Sequence, residues 1–312
     1  MLPSDGLTSE FAYIAWVRQR VPSHSRVALG IGDDAAVLHW PSGRDLLITT
    51  DMILEGVHFD LSRARPALVG RKALAVNLSD IAAMAGVPVA AVVALGMPRD
   101  FAREMAEGLH EGIRSLAEEF GVAVVGGDTN ASRSGLVVSI TVVGEATALG
   151  AVPRSGARPG DWIMVTGSLG GSILGKHLEF TPRVREALVL HERYELRAMI
   201  DVTDGLAADL GHILAESGVG GILRASAIPI SDAARSMAGT SNPLERALQD
   251  GEDFELLFTL PPDEGERLLA ERPIDLALSP IGVVTPGREL LLEQADGSRH
   301  SLLPRGYDHF RR

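Results

Sequence analysis

Gly144-Glu145-Ala146-Thr147-Ala148-Leu149-Gly150-Ala151-Val152-Pro153-Arg154-Ser155-Gly156-Ala157-Arg158-Pro159-Gly160 is a run of Gly, Ala, Pro and Arg near the middle of a 312-residue chain. Such residues punctuate regular structure. At ~150 residues per domain the length suits two domains, so the run reads as a junction between residues 1–150 and 151–312. On its N-terminal side Leu136 to Val143 alternates as a strand, and Val122 to Val125, Val89 to Leu95 and Leu46 to Thr50 are further β-type runs. Asp100 is placed to cap a helix carrying Phe101, Met105, Leu109, Ile113, Leu116 and Phe120, which Gly121 ends. Ser9 to Arg20 gathers Phe11, Ile14, Ala15 and Val17 on one side of a helix. Past the junction, Trp162 to Val165 runs into a Gly-rich turn, Leu206, Leu210, Ile213 and Leu214 form a helical stripe, and Phe254 to Leu260 and Ile281 to Val284 read as strands. Strands and helices mix without the even βαβ cadence of a dinucleotide fold. The expectation is a mixed α/β (α+β) chain of two domains.

Apolar residues make up 46% and charged residues 22%, a globular composition. With 29 Lys and Arg against 41 Asp and Glu the net charge is −12, which argues against a broad surface for duplex nucleic acid. Aromatics at 4% offer no stacking platform for single strands. Cysteine is absent, which removes disulfides, thiolate zinc sites and cysteine nucleophiles and fits a reducing, cytoplasmic setting. No apolar run reaches ~18 residues and no signal peptide is visible, so no membrane association is expected.

The chemistry lies in a repeated placement of aspartate. Apolar segments lead into Asp33-Asp34, Asp51, Asp80, Asp128 and Asp201-Val202-Thr203-Asp204, usually beside Gly, Ser or Thr. Each alone is explained by a cap or a turn, as for Asp80 before Ile81 or Asp204 before Gly205. Together they suggest gathered carboxylates, which need cations to offset their repulsion. Oxygen ligands with hydroxyl neighbours and no Cys suit Mg²⁺, and Mg²⁺ commonly bridges carboxylates to phosphates. A nucleotide or polyphosphate is the expected ligand class. In Gly251-Glu252-Asp253-Phe254-Glu255, Glu252 precedes the strand and is the better functional candidate.

Other signals are weaker. Gly170-Gly171-Ser172-Ile173-Leu174-Gly175-Lys176-His177 nearly spells a phosphate-binding P-loop but ends in His instead of Ser or Thr. Asp201 and Asp204 are one residue too far apart for an aspartyl-phosphatase pair. The 9 His show no paired metal spacing. His58 follows closely on Asp51, within reach of a phosphate, with a surface or structural histidine as the alternative. Arg154 is a phosphate ligand by its chemistry, with a solvated linker charge as the alternative.

Several motifs resemble those of thiamine-monophosphate kinases, within the wider aminoimidazole-ribonucleotide-synthetase-like superfamily. They are residues 30–36 (GIGDDAA), Thr49-Thr50-Asp51, Glu55-Gly56-Val57-His58-Phe59, residues 73–84 (ALAVNLSDIAAM), Gly126-Gly127-Asp128-Thr129, residues 154–161 (RSGARPGD), residues 201–206 (DVTDGL), residues 251–256 (GEDFEL) and Gly306-Tyr307-Asp308-His309-Phe310. The resemblance implies a two-domain synthetase-like fold. Its N-terminal domain, with ATP and Mg²⁺ bound nearby, would pair in a homodimer, and its C-terminal α/β domain would complete the site. It implies transfer of the ATP γ-phosphate to thiamine monophosphate, giving thiamine diphosphate and ADP. No phosphoenzyme and no general base are required, because a substrate phosphate is already ionised. By motif, Asp34, Thr49, Thr50, Asp51, Asp80, Asp128, Asp201 and Asp204 would hold or support several Mg²⁺ ions. Gly127, Asp128, Arg154 and Thr203 would contact ATP, and His58 and Glu252 the thiamine monophosphate. Thr203 stands where relatives often carry Ser. Leu303-Pro304-Arg305 stands where relatives carry an aromatic, a role left to Tyr307, to Phe310 or to neither.

Two other readings are a different superfamily enzyme and a catalytically silent nucleotide-binding protein. The selenium-activating and hydrogenase-maturation types need a Cys or selenocysteine that this chain lacks. The intact carboxylates and hydroxyls argue against silence.

Overall fold

A computed structural model describes residues 27–29, 32–40, 43–98, 103–237, 239, 242–304 and 306–307. The helix read over Ser9 to Arg20, the Asp100 cap, Gly30-Ile31 and the Asp308-His309-Phe310 end of the last motif lie outside them.

Two sheets carry the fold. The first, in spatial order, joins β1 (Val27–Leu29), β2 (Ala36–His39), β3 (Asp45–Leu54), β6 (Val137–Glu145), β4 (Val87–Pro98) and β5 (Ala123–Ser132). Its pairs are antiparallel except β4 with β5. The second, again in spatial order, joins β13 (Arg299–Ser301), β12 (Leu290–Glu293), β9 (Gly220–Arg224), β11 (Leu278–Thr285), β7 (Trp162–Thr166), β10 (Leu256–Leu260) and β8 (Ala198–Asp201).

Between them runs α1 (Pro66–Ala83), opened by a proline at its first turn, where the missing N–H costs nothing. It packs on β3, β6 and α2 (Arg103–Phe120) of the first half, and on β8, α3 (Lys176–Glu179) and α4 (Val184–Arg193) of the second. A helix covered on all sides is mostly apolar all round, and Ala73-Leu74-Ala75-Val76 and Ile81-Ala82-Ala83 are, with Lys72, Asn77, Ser79 and Asp80 among the polar exceptions, each tied to a partner. The crossing with α2 is closed by glycine. A Cβ on Gly112 would stand 1.9 Å from the Ala67 carbonyl oxygen, and one on Gly70 would stand 2.1 Å from that of Leu109. Gly112→Ala must push two helix backbones apart, so a loss of about 3 kcal/mol is expected. Gly287, with no atom within 4 Å of a built Cβ, should accept Ala almost silently. Equal melting temperatures for the two variants would dismiss the close approach as a determinant of stability.

Three of the aspartates do not sit at breaks in regular structure as expected. Asp51 lies inside β3, Asp128 inside β5, and Asp80 in the last turn of α1, where it caps nothing. Gly and hydroxyl neighbours suggested turns, but sheet pairing on β5 and burial of α1 overrode that local preference. Asp33-Asp34 does occupy a bend, and Asp201 ends β8. Phe254, read as the start of a strand, precedes β10.

Candidate functional site

The pleat of β3 sorts its residues. Thr49 and Asp51 face α1, whereas Thr50 turns to the other face, where its hydroxyl donates to the Ile140 carbonyl and accepts from the Thr141 hydroxyl. Thr49 donates its hydroxyl to Asp80 of α1. One position before Asp80, the Ser79 hydroxyl reaches across to Asp201 at the end of β8. Asn77 accepts the Asp51 amide at 3.1 Å while its own amide holds the Ala73 carbonyl, fixing β3 against α1. These links bring one carboxylate oxygen from each of Asp34, Asp80 and Asp201 within 4.8 Å of the others.

Burial, and then the neighbouring negative charges, raise Asp80 and Asp201 of this group and Asp33 and Asp51 beside it. Asp201 is pushed up to about 8 by burial and Asp34, and Asp33 to about 7 by burial and Asp34. Burial also raises Asp51, and raises Asp80 well above the carboxylate range with Asp51, Asp201 and Asp34 adding to it. The offsetting charge within the chain is Arg154, from the junction. Its Nε and Nη2 grip Asp34 at 2.9 and 2.8 Å, and its amide donates to Asp33 at 2.9 Å. Burial opposes its charge, but Asp34, Asp33 and Asp201 hold the guanidinium firmly protonated. The solvated-linker reading of Arg154 is therefore excluded.

A cleft of about 880 Å³ opens from this group. Asp33, Asp34, Thr49, Asp51, Asp80 and Arg154 line one end, and His58, Glu252, Phe254 and Tyr307 line another, with Thr203 and Asp204 on the wall. His58 Nδ1 accepts the Leu54 amide at 3.1 Å, which leaves the ring proton on Nε2. Glu252 sits in a strained loop with φ +63°. Its amide donates to the Thr203 carbonyl at 2.7 Å, and a side chain on Gly251 would meet that carbonyl at 2.4 Å. Tyr307, half exposed on the rim, is the described aromatic of the two proposed for the C-terminus.

Two expected members stand apart. In register, Met52, Ser139, Ala94 and Asp128 form one row across β3, β6, β4 and β5. At ~4.8 Å per strand, Asp128 is about 14 Å from Met52. Gly127 and Asp128 line a second cavity of about 590 Å³ between α2 and β4–β5, with His110 and Arg114. An added Cβ on Gly127 would stand 1.8 Å from the Val93 carbonyl oxygen, so glycine is obligatory there.

The decoy loop has its amides filled from within. Gly170 donates to Asp253 at 2.7 Å and Gly171 to Asp250 at 3.1 Å, while Lys176 pairs with Glu255 at 2.8 Å beside Arg183. It is a structural turn. Asp204 is likewise not the cap of α5 (Leu206–Ser217). The cap position is Gly205, and Asp209 in the first turn ties down the loop before the helix, its Oδ2 accepting the amides of Thr203, Asp204 and Gly205.

Sequence reading missed Ser79, Asn77 and above all Lys72, whose ammonium reaches Glu252 and the His58 carbonyl with no solvent exposure. A lysine inside an apolar helix was the available signal.

The AIR synthase related protein N-terminal domain matches residues 32–146, and the corresponding C-terminal domain matches residues 158–293. The thiamine-monophosphate kinase of Rhodopirellula baltica is 39% identical over 311 residues, spanning 96% of this chain and 97% of its own. That of Escherichia coli K12 is 36% identical, spanning 96% and 98%. The solved structure of AaThiL complexed with AMPPCP and TMP superposes with a TM-score of 0.83 at 32% identity, covering 96% of this chain and 97% of that one. With both domains matched in order and these kinases aligned end to end, the chain belongs to the thiamine-monophosphate kinase family.

Proposed function

We propose that this protein transfers the γ-phosphate of ATP to the phosphate of thiamine monophosphate, releasing thiamine diphosphate and ADP. The observation that carries this reading is the convergence of Asp34 and Asp80 in one cleft with His58 and Glu252, with Asp201 buried directly behind them, one carboxylate oxygen within 4.8 Å of theirs. A phosphate oxygen of the acceptor attacks the γ-phosphorus in line. A new P–O–P bond forms, the bond to the β-phosphate oxygen breaks, and its electron pair leaves with ADP. Such a reaction asks for positioning and charge neutralisation, so none of these residues need remove a proton.

The donor set fits a hard divalent cation. It is all oxygen, it is crowded, and burial together with neighbouring carboxylates raises Asp80 and Asp201, with Arg154 the offsetting cation among the described residues. Asp34, Asp80 and Asp201 would hold Mg²⁺, with Asp51, Thr49 and Asp204 in support. Bound there, the ion supplies neutralisation of charge developing on the phosphoryl oxygens. The protein's own part is to fix the carboxylates through the Ser79 and Thr49 hydroxyls, to hold Arg154 beside the nucleotide phosphates, and to seat the acceptor between His58 and Glu252. Thr203, on the wall of the same cleft, meets the nucleotide, whereas Gly127 and Asp128 line the separate cavity beside α2.

Residues 1–150 serve nucleotide and metal binding in this reading, and residues 151–312 complete the site. The outer face of the first sheet exposes Met52, Val87, Val92 and Val125 beside Thr50 and Asp128. Such an apolar face suits a second copy of the chain, which sedimentation would report as a dimer. No helix of the described residues is long and apolar enough to cross a membrane, in keeping with a cytoplasmic enzyme.

Phosphorus NMR of the protein with ATP, Mg²⁺ and thiamine monophosphate tests the reading. Thiamine diphosphate and ADP should appear, and EDTA should stop both. ADP with free phosphate alone would point to another acceptor. His58→Ala should raise the KM for thiamine monophosphate about tenfold, the worth of one hydrogen bond to a charged group, and leave that for ATP nearly unchanged. Equal rises in both would remove His58 from the acceptor site.

A further inference from the structure

Lys72 carries a charge in the centre of the molecule, and the reaction as derived gives it no task. Its side chain is fully buried, yet its Nζ lies 2.5 Å from Glu252 Oε1 and 2.8 Å from the His58 carbonyl oxygen. Lys72 belongs to α1, His58 to the turn after β3, and Glu252 to the loop before β10. One ammonium thus ties three segments, from both halves of the chain, at the acceptor end of the cleft.

Stability alone does not account for it. Burial works against the ammonium and pulls its pKa below the usual lysine range, with Glu252 only partly opposing. A well-packed apolar residue would fill the same space without a desolvation cost. What the lysine does is geometric. By occupying Oε1 it leaves Oε2 of Glu252, a carboxylate 29% exposed on the cleft, to face a ligand. The Glu252 backbone is held at its other end by the Thr203 carbonyl, so the carboxylate has little freedom. Pinning the His58 carbonyl steadies the turn that aims the imidazole.

We propose that Lys72 is a positioning residue for the phosphate acceptor, presetting Glu252 Oε2 and the His58 ring as a matched pair for a substrate with a cationic, amino-bearing heterocycle. The inference rests on the kinase reading above and names what organises its acceptor pocket. Preorganisation of this kind saves the ordering cost that a loose carboxylate and a loose turn would add on binding.

The test is a double-mutant cycle of Lys72→Met and Glu252→Gln, read as separate KM values for thiamine monophosphate and ATP. Lys72→Met is expected to raise the first about tenfold, as for one charge-assisted hydrogen bond, and to leave the second within about twofold. In the Glu252→Gln background the same change should add little, because the oxygen it positions is already altered. Full additivity, or equal rises in both KM values, would overturn the proposal. If Lys72→Met fails to fold, the side-chain ammonium resonance of Lys72 in ¹⁵N-lysine-labelled wild-type protein decides instead. Thiamine monophosphate should move it and ATP should not, and the opposite pattern or no movement overturns the proposal. Wild-type turnover separates the two levels: no thiamine diphosphate from the wild type sinks the kinase reading, whereas a normal wild type with a wild-type-like Lys72→Met sinks only this inference.

Discussion

Asp80→Asn and Asp51→Asn are each expected to cut turnover at least a thousandfold while leaving the fold intact. Metal-based charge stabilisation is worth several kcal/mol, and each ~1.4 kcal/mol is a factor of ten. Asn keeps the volume and one oxygen but removes the charge that holds a divalent ion. The fold should not suffer, because Asp80 is opposed by Asp51, Asp201 and Asp34 and is already raised by burial. Relieving that repulsion should raise the melting temperature of metal-free protein, and the gain should vanish when Mg²⁺ is added to both. Thr49 can still donate its hydroxyl to the amide oxygen. Steady-state rates with calorimetry would check both halves. Near-normal turnover of either variant would remove that residue from the metal site, and a large fall in melting temperature would show a structural role instead.

Metal-free protein is also expected to lose stability as pH rises from about 6 to about 8.5, by several degrees of melting temperature. Asp201 is pushed up to about 8 and Asp33 to about 7, both chiefly by burial and then by Asp34. A carboxyl raised in the folded state binds more protons folded than unfolded between its ordinary value and its raised one. The contribution is therefore fully present below the ordinary carboxylate range and is lost as pH climbs through the folded values. Mg²⁺ binds the ionised carboxylates, so its stabilisation should grow over the same interval and flatten the slope. Asp201→Asn should flatten it without metal. A metal-free melting temperature that is level or rises with pH would contradict the description of the cluster as crowded and under-neutralised.

Both expectations depend on residues whose types were legible long before their positions. Asp34, Asp51, Asp80, Asp201 and their hydroxyl neighbours announce a hard-cation site by composition alone, and the order of the motifs announces the family. The strand runs at Leu46, Val89 and Leu136 and the α2 stripe carried their periods plainly, because each packs one face and leaves the other different, and Trp162 to Val165 showed as a short apolar run because it is buried on both faces. Element boundaries around the aspartates did not. A helix cap at Asp80, before Ile81, is one of the two local readings, yet α1 runs through Asp80, its apolar surround supplying more than the local preference costs.

Tertiary structure alone decided which of these carboxylates meet. Thr49 and Thr50 are neighbours in sequence and on opposite faces of a pleated strand, so only one donates to Asp80. Asp128 shares the motif pattern of Asp51 and lies three strands away. Arg154, a linker residue by composition, became the cluster's counter-charge because the junction folds back onto Asp33 and Asp34. Lys72 gained its significance only when two sheets closed around α1 and brought its ammonium to Glu252 and the His58 carbonyl. Local periodicity and residue chemistry are written along the chain, and they named the family and the ingredients of its site. The meeting of groups far apart in sequence is set by how helices and sheets pack, and that information resides in no single segment.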